Sequence, residues 1–174
     1  MAAPYAADMD IRVAEPAEYE EIGAQTIAAY GALPGMSELG RYGDELADVA
    51  GRVGPGVVLV AVDEGHLLGN VTYFSRYAQE MTAFAAVLGG RSGFRMLATA
   101  LAAQGRGIGA ALTYACIDRA RADGAPGIAL HTTDYMLAAQ RLYVRLGFAR
   151  WTDLDLVFGR TRPVTVKGFR LDFG

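Results

Sequence analysis

Residues 104–112 read QGRGIGAAL, with Gly105, Gly107 and Gly109 alternating just ahead of a helical pattern. Glycine is costly to order and poor inside helices, so three at a helix entrance imply a tight turn or a backbone that something must approach closely. Working outward, FRMLATAL (94–101) is a short apolar run suited to a buried central strand. On the other side, Ile108, Leu112, Ala115, Cys116 and Ala120 form one apolar stripe with Asp118, Arg121 and Asp123 off it, until Gly124 and Pro126 stop the helix. A strand feeding a glycine turn that opens a helix aims unpaired N–H groups and the positive end of the helix dipole at one point, where a phosphate can bind. The dipole contributes ~0.3–1 kcal/mol and each hydrogen bond to a charged oxygen about 1.5–3 kcal/mol, so amides dominate and side chains must stay clear of them. Other phosphate loops fit worse. Gly109 is followed by Ala110 and Ala111 instead of lysine and a hydroxyl residue, and Leu112 occupies the last glycine position of a dinucleotide fingerprint.

The flanking chain alternates strand and helix signals. MDIRVA (9–14) reads as a strand, broken by Glu15-Pro16 ahead of a helix ending near Tyr30, with Glu18, Glu20 and Glu21 at its positive end. A second helical pattern follows in SELGRYGDELADVAGRV (37–53), with Ser37 as its N-cap. VVLVAVD and LLGNVTYF, separated by DEGH, predict a hairpin. Residues 75–93 carry no decisive pattern. GIALHTT (127–133) is another buried-strand candidate, and Met136, Ala139, Leu142, Tyr143 and Leu146 give a helix closed by Gly147. In the tail, PVTVKGFRLDFG, the alternation slips phase at Gly168, which predicts a bulge there.

Composition bounds the class. A chain of 174 residues that is 52% hydrophobic supports one domain with a sizeable core, so a single domain over 1–174 is expected. The longest charge-free run, 22–37, is interrupted by Gly23, Gln25, Pro34, Gly35 and Ser37, and no membrane span is expected. MAAPYAADMD lacks a basic start and apolar stretch, and the one cysteine, Cys116, reads as a small buried hydrophobe; a cytoplasmic setting is expected. His66 and His131 stand far apart with no cysteine cluster, so no metal is expected. Net charge is −3, which argues against nucleic acid as a partner. Residues 1–52 hold ten acidic and three basic side chains, so the front is acidic and the rear basic: two solvated faces, or an anion-binding rear and a cation-tolerant front.

Two segments taken together, Gln104-x-x-Gly107-x-Gly109 and Ala139-x-x-Leu142-Tyr143-x-x-Leu146-Gly147-Phe148, resemble the GNAT superfamily of acyl-CoA-dependent N-acetyltransferases. The likeness is close over about 94–150 and extends to the order of elements elsewhere. It implies an α+β fold: a mixed, mostly antiparallel central sheet of six to seven strands, flanked by about four helices, with a splayed pair of parallel strands at the cofactor site. It further implies acetyl-CoA as acyl donor. Its pyrophosphate would lie on the backbone of Gln104, Gly105, Arg106, Gly107, Ile108 and Gly109, with Arg106 as a supporting charge. Its pantetheine arm would add to Leu97, Ala98 and Thr99, and that region would supply an amide for the oxyanion.

The resemblance gives Tyr143 the chemistry: a phenol beside the sulfur can protonate the leaving thiolate. The residues by themselves favour an amphipathic core tyrosine on a helix. Three positions depart from the family's habits: Ala100 and Leu101 replace an acidic residue and proline, Met136 replaces asparagine, and Arg91, Ser92 and Gly93 offer no carboxylate. An alkyl ammonium needs a base before it can attack, and Glu80 is the candidate nearest to hand. Glu20, Glu21, Glu38, Asp44 and Glu45 could shape an acidic mouth for a cationic acceptor, a small-molecule or peptide amine. Leu146 and Phe148 are expected to pack, and Gln140, Arg141 and Arg145 to face solvent. The tail's alternation suggests strand pairing across a homodimer. The alternatives are a CoA-binding sensor or inactive GNAT-fold interaction protein, and a nucleotide-binding module.

Overall fold

The run at 57–63 becomes a strand because its β-branched side chains find cover on both faces. In the computed structural model, which describes residues 9–36, 38–158 and 163–174, Val58, Leu59, Val60 and Ala61 are all buried. The chain folds into two compact units, Met1–Tyr73 with Arg95–Cys116, and Phe74–Phe94 with Ile117–Gly174.

In the first unit, β1 (Asp10–Val13) and β3 (His66–Phe74) pair antiparallel with the two edges of β2 (Val57–Asp63). Glu64 and Gly65 close the expected hairpin with φ of 47° and 79°, as a two-residue primed turn requires. The later residues of β4 (Ser92–Thr99) follow β3, and Ala100 N–H donates to Leu68 O at 2.8 Å. Pro16 opens a 3-10 turn that leads into α1 (Tyr19–Gly31), which buries Ile22, Thr26 and Tyr30 one turn apart. The second helical pattern is split into α2 (Gly40–Ala47) and α3 (Val49–Arg52), since the Asp48 side chain accepts from Gly51 N–H at 2.9 Å and starts a new turn. Ser37, the expected cap, lies outside the described residues. The core of this unit is Ala14, Ile22, Val49, Val58 and Val60.

In the second unit, the start of β4 pairs parallel with β5 (Gly127–Thr133), and β5 pairs antiparallel with β8 (Val164–Asp172). Residues 75–91 fold into α4 (Tyr77–Glu80), a 3-10 turn at Thr82–Phe84 and α5 (Ala85–Leu88), because Tyr77 and Leu88 drop into a core with Phe74, Ala129, Trp151 and Leu154. The remaining helices are α6 (Ile108–Ala122), which contributes to both units, and α7 (Leu137–Arg145). Short strands β6 (Ala149–Arg150) and β7 (Leu156–Phe158) pair with β8.

Among the described residues the sheet is mixed and mostly antiparallel with one parallel pair, as expected, and has eight strands because β6 and β7 are separate short pieces. One expectation fails. The β5–β8 ladder runs from Gly127↔Asp172 to Thr133↔Val166 without interruption, so Gly168 is no bulge. A Cβ at Gly168 would stand 2.3 Å from Leu154 Cβ and 2.6 Å from Trp151 O, so the glycine lets the 151–154 turn cross the strand. The bulge is in the β2–β3 ladder, after Ala61. β8 pairs along one edge with β5 and at part of its other edge with β6 and β7.

Candidate active site

The strand that leads to the glycine loop is kinked. β4 pairs with β5 only at Ser92↔Ile128 and Gly93↔Ala129, and three residues later Met96 sits at φ 57°. A left-handed non-glycine residue inside a strand costs energy and persists only where its surroundings enforce it. Beyond the kink, Leu97 and Thr99 are half-buried and Ala98 is buried. The chain then makes a 3-10 turn at Leu101–Ala103 and an extended Gln104.

Gly105 and Gly107 adopt φ of 80° and 81°, a region that side-chain-bearing residues rarely enter. A Cβ at Gly105 would meet nothing within 4 Å. Ala111 N–H donates to Gly107 O at 3.0 Å as the first bond of α6, which leaves the amides of Ile108, Gly109 and Ala110 as its first turn. Ile108 and Ala110 are buried and anchor this turn, whereas Gln104, Gly105 and Arg106 are exposed. Arg106 faces the Asp63 carboxylate at 3.1 Å, so its charge is already shared. Cys116 is buried on the same helix.

Tyr143 belongs to the second unit. Gln140 Nε2 donates to Thr133 O at 2.9 Å and ties the start of α7 to the end of β5, so Gln140 is not merely solvated. Tyr143 is 4% exposed, with its ring centroid 5.8 Å from Phe94, 5.7 Å from Phe148 and 6.4 Å from Phe169. Gly147, at φ 90°, ends the helix, and Phe148 N–H returns to Tyr143 O at 2.9 Å. The tyrosine therefore does carry core packing. Glu80 is partly buried at the end of α4.

Sequence reading missed three features. Thr132 Oγ1 and Thr133 Oγ1, at the end of β5 past its last pair with β4, are buried with no hydrogen-bond partner. His131 Nε2 lies 2.8 Å from Leu154 O and so donates to it, leaving Nδ1 to accept from the fully buried Tyr77 hydroxyl at 3.2 Å. Arg52 is 8% exposed, and its Nε has no partner. The threonines could have been noted from the polar end of GIALHTT, but no local signal marks Arg52 or the Tyr77–His131 pair. A cavity of about 640 Å³ in the second unit is lined by Arg76, Gln79, Gly89, Gly90 and Asp123 among others, and by none of the expected cofactor residues. Among the described residues no group of three or more His, Cys, Asp or Glu could hold a metal ion, and no helix is long and apolar enough to cross a membrane.

The glycine loop, the parallel pair β4–β5 that parts after two residues and the helix carrying Tyr143 correspond to the features on which the family resemblance rests. The model of the acetyltransferase (GNAT) family matches residues 28–148, and the chain belongs to that family. Mycothiol acetyltransferases of Renibacterium salmoninarum and Streptosporangium roseum are 47% and 42% identical over 57 residues. That stretch is 33% of this chain and 17% of either relative, so the chain matches about a sixth of the length of those curated proteins. The structure of yncA from Salmonella typhimurium, solved with its cofactor acetyl-CoA, has a similar fold: TM-score 0.66 at 20% identity over 94% of this chain and 93% of that one.

Proposed function

We propose that the chain acts as one N-acetyltransferase-like domain, moving an acetyl group from acetyl-CoA to a primary amine by direct attack on the thioester. The observation that carries this reading is the run from Met96 to Ala111, where a kinked strand, two left-handed glycines and an open first helical turn follow one another. Backbone N–H groups of Gln104 to Gly109 hold the pyrophosphate, and the space beside Gly105 is open to it. Leu97, Ala98 and Thr99 pair with the pantetheine arm. Tyr143 protonates the leaving thiolate; a thiol pKa of ~8.5 against ~10 for a phenol makes the transfer uphill by only about 2 kcal/mol in solution.

Gly109 offers the cleaner test of the cradle, because Gly107 sits at positive φ and any side chain there strains the backbone itself. In Gly109→Val, calorimetry should show acetyl-CoA affinity reduced about tenfold or more with the fold retained, the equivalent of one lost charge-assisted hydrogen bond. Full affinity in a folded variant would displace the cradle from this loop. One observation favours a second reading, a CoA-binding sensor: Tyr143 is buried among three phenylalanine rings. Tight acetyl-CoA binding with no acetyl transfer across an amine panel would select it.

A further inference from the structure

Arg52 closes α3 and is more than nine-tenths buried, yet among the described residues no carboxylate forms an ion pair with it. Its Nη1 donates to Thr72 Oγ1 at 3.1 Å on β3, its Nη2 to Leu46 O at 2.8 Å near the end of α2, and its Nε to nothing. Burying a cation without a counter-ion is costly, and a helix C-terminus offsets only part of that cost. The desolvation is strong enough to hold the Arg52 pKa below the usual guanidinium value.

The groups that act on it are two tyrosines, one carboxylate, Asp48, and a second guanidinium, Arg95. Tyr30 on α1 and Tyr42 on α2 meet edge to face with ring centroids 5.9 Å apart, and burial pushes the Tyr42 phenol up, so it stays protonated. Arg95 on β4 depresses the Arg52 pKa a little further, and Asp48 opposes that shift without forming an ion pair with Arg52. Glu45, at the exposed rim, reaches Arg95 only at 4.0 Å. All of these lie in the first unit, and Arg95 precedes the Met96 kink by one residue.

Resting on the acetyl-transfer reading, we propose that Arg52 receives a carboxylate of the acceptor, so that the amine acetylated belongs to a molecule of the amino-acid class. A guanidinium offers Nε–H and a neighbouring Nη–H as a planar fork that fits a carboxylate with two parallel hydrogen bonds. Glu45 at the rim suits the ammonium of the same zwitterion. Polyamines and aminoglycosides carry cations only and would leave Arg52 uncompensated.

The test measures binding to the intact protein by calorimetry and thermal unfolding, using the standard L-amino acids, each beside its own α-amide. The pair shares the amine and side chain and differs in the acid. At least one amino acid should bind about 10- to 100-fold more tightly than its amide, the range expected for hydrogen bonds to a charged group. Arg52→Met should erase that preference, and Arg52→Lys should restore part of it. Absence of any acid preference in the native protein, which needs no variant to fold, would overturn the inference, as would an unchanged preference in a folded Arg52→Met. Acetyl transfer is scored separately with the same pairs. Acid preference without transfer would leave Arg52's role standing and remove the enzyme reading; transfer to amides as readily as to acids would do the reverse.

Discussion

The glycines of the 104–109 loop and those of the second unit's sheet look alike in sequence and differ in their surroundings. A Cβ built at Gly105 meets open space, whereas one at Gly93 would fall 2.2 Å from Cγ of Tyr77 and one at Gly168 would fall 2.3 Å from Leu154 Cβ. The loop needs glycine for its left-handed backbone, and the space beside Gly105 stays open where the pyrophosphate is proposed to lie; the sheet needs it so that protein can fill the room itself. An open left-handed glycine permits a ligand to approach, although plain turns such as Gly65 are open too, while a crowded glycine points to packing.

Gly93→Ala should therefore have the largest effect, because the fully buried Tyr77 ring cannot retreat without losing the core that holds α4. A loss of about 3 kcal/mol or more is expected in chemical denaturation. Gly105→Ala should cost about 1 kcal/mol, the strain of a left-handed alanine. If Gly105→Ala proved the more damaging of the two, the contrast between open and filled glycines would be broken.

Tyr143 is a packed residue to which chemistry is also proposed, and Tyr143→Phe separates the two roles by keeping the ring and removing the hydroxyl. Turnover should fall by roughly 10²-fold with acetyl-CoA affinity and melting temperature close to native. Unchanged turnover would place Tyr143 wholly with the filled side of the comparison.

The smallest effect expected is on acid stability, where both units carry tethering carboxylates. Asp155 is held below the usual carboxylate range by Arg150 at 2.7 Å and by Gly168 N–H, and Asp134 by Lys167 at 2.8 Å and by Thr165 N–H. In the first unit Glu18 is lowered by Arg12 and by Glu15 N–H. Each binds a proton more readily when unfolded than when folded. Their contribution is complete above the unfolded pKa near ~4 and is lost as pH falls through the lower folded values. Melting temperature followed downward from pH 7 should stay level to about pH 5 and then decline modestly. Added salt should shrink the decline, since these ion pairs are partly exposed to solvent. A decline that begins near neutrality would implicate groups other than these carboxylates.

Much of the fold was legible because its signals are local. Apolar, β-branched runs at 57–63 and 66–74 with a turn between them read as a hairpin, and the 3.6-residue stripe from Ile108 to Ala120 reads as one buried helical face. The glycine loop was legible for the same reason, since positive φ at Gly105 and Gly107 is a demand of the backbone on its own residue type. Residues 75–91, the uninterrupted β8 and the buried Arg52 were not legible. Tyr77 finds His131, Gly168 admits Leu154, and Arg52 meets Thr72 across 54, 14 and 20 residues of chain respectively. Periodicity and turn chemistry are properties of neighbours in sequence, so the chain by itself determined its elements and its phosphate-binding candidate. Which side chains are crowded, which stay open and which charge lies buried without a partner depend on distant segments arriving together, and only the tertiary structure decided them.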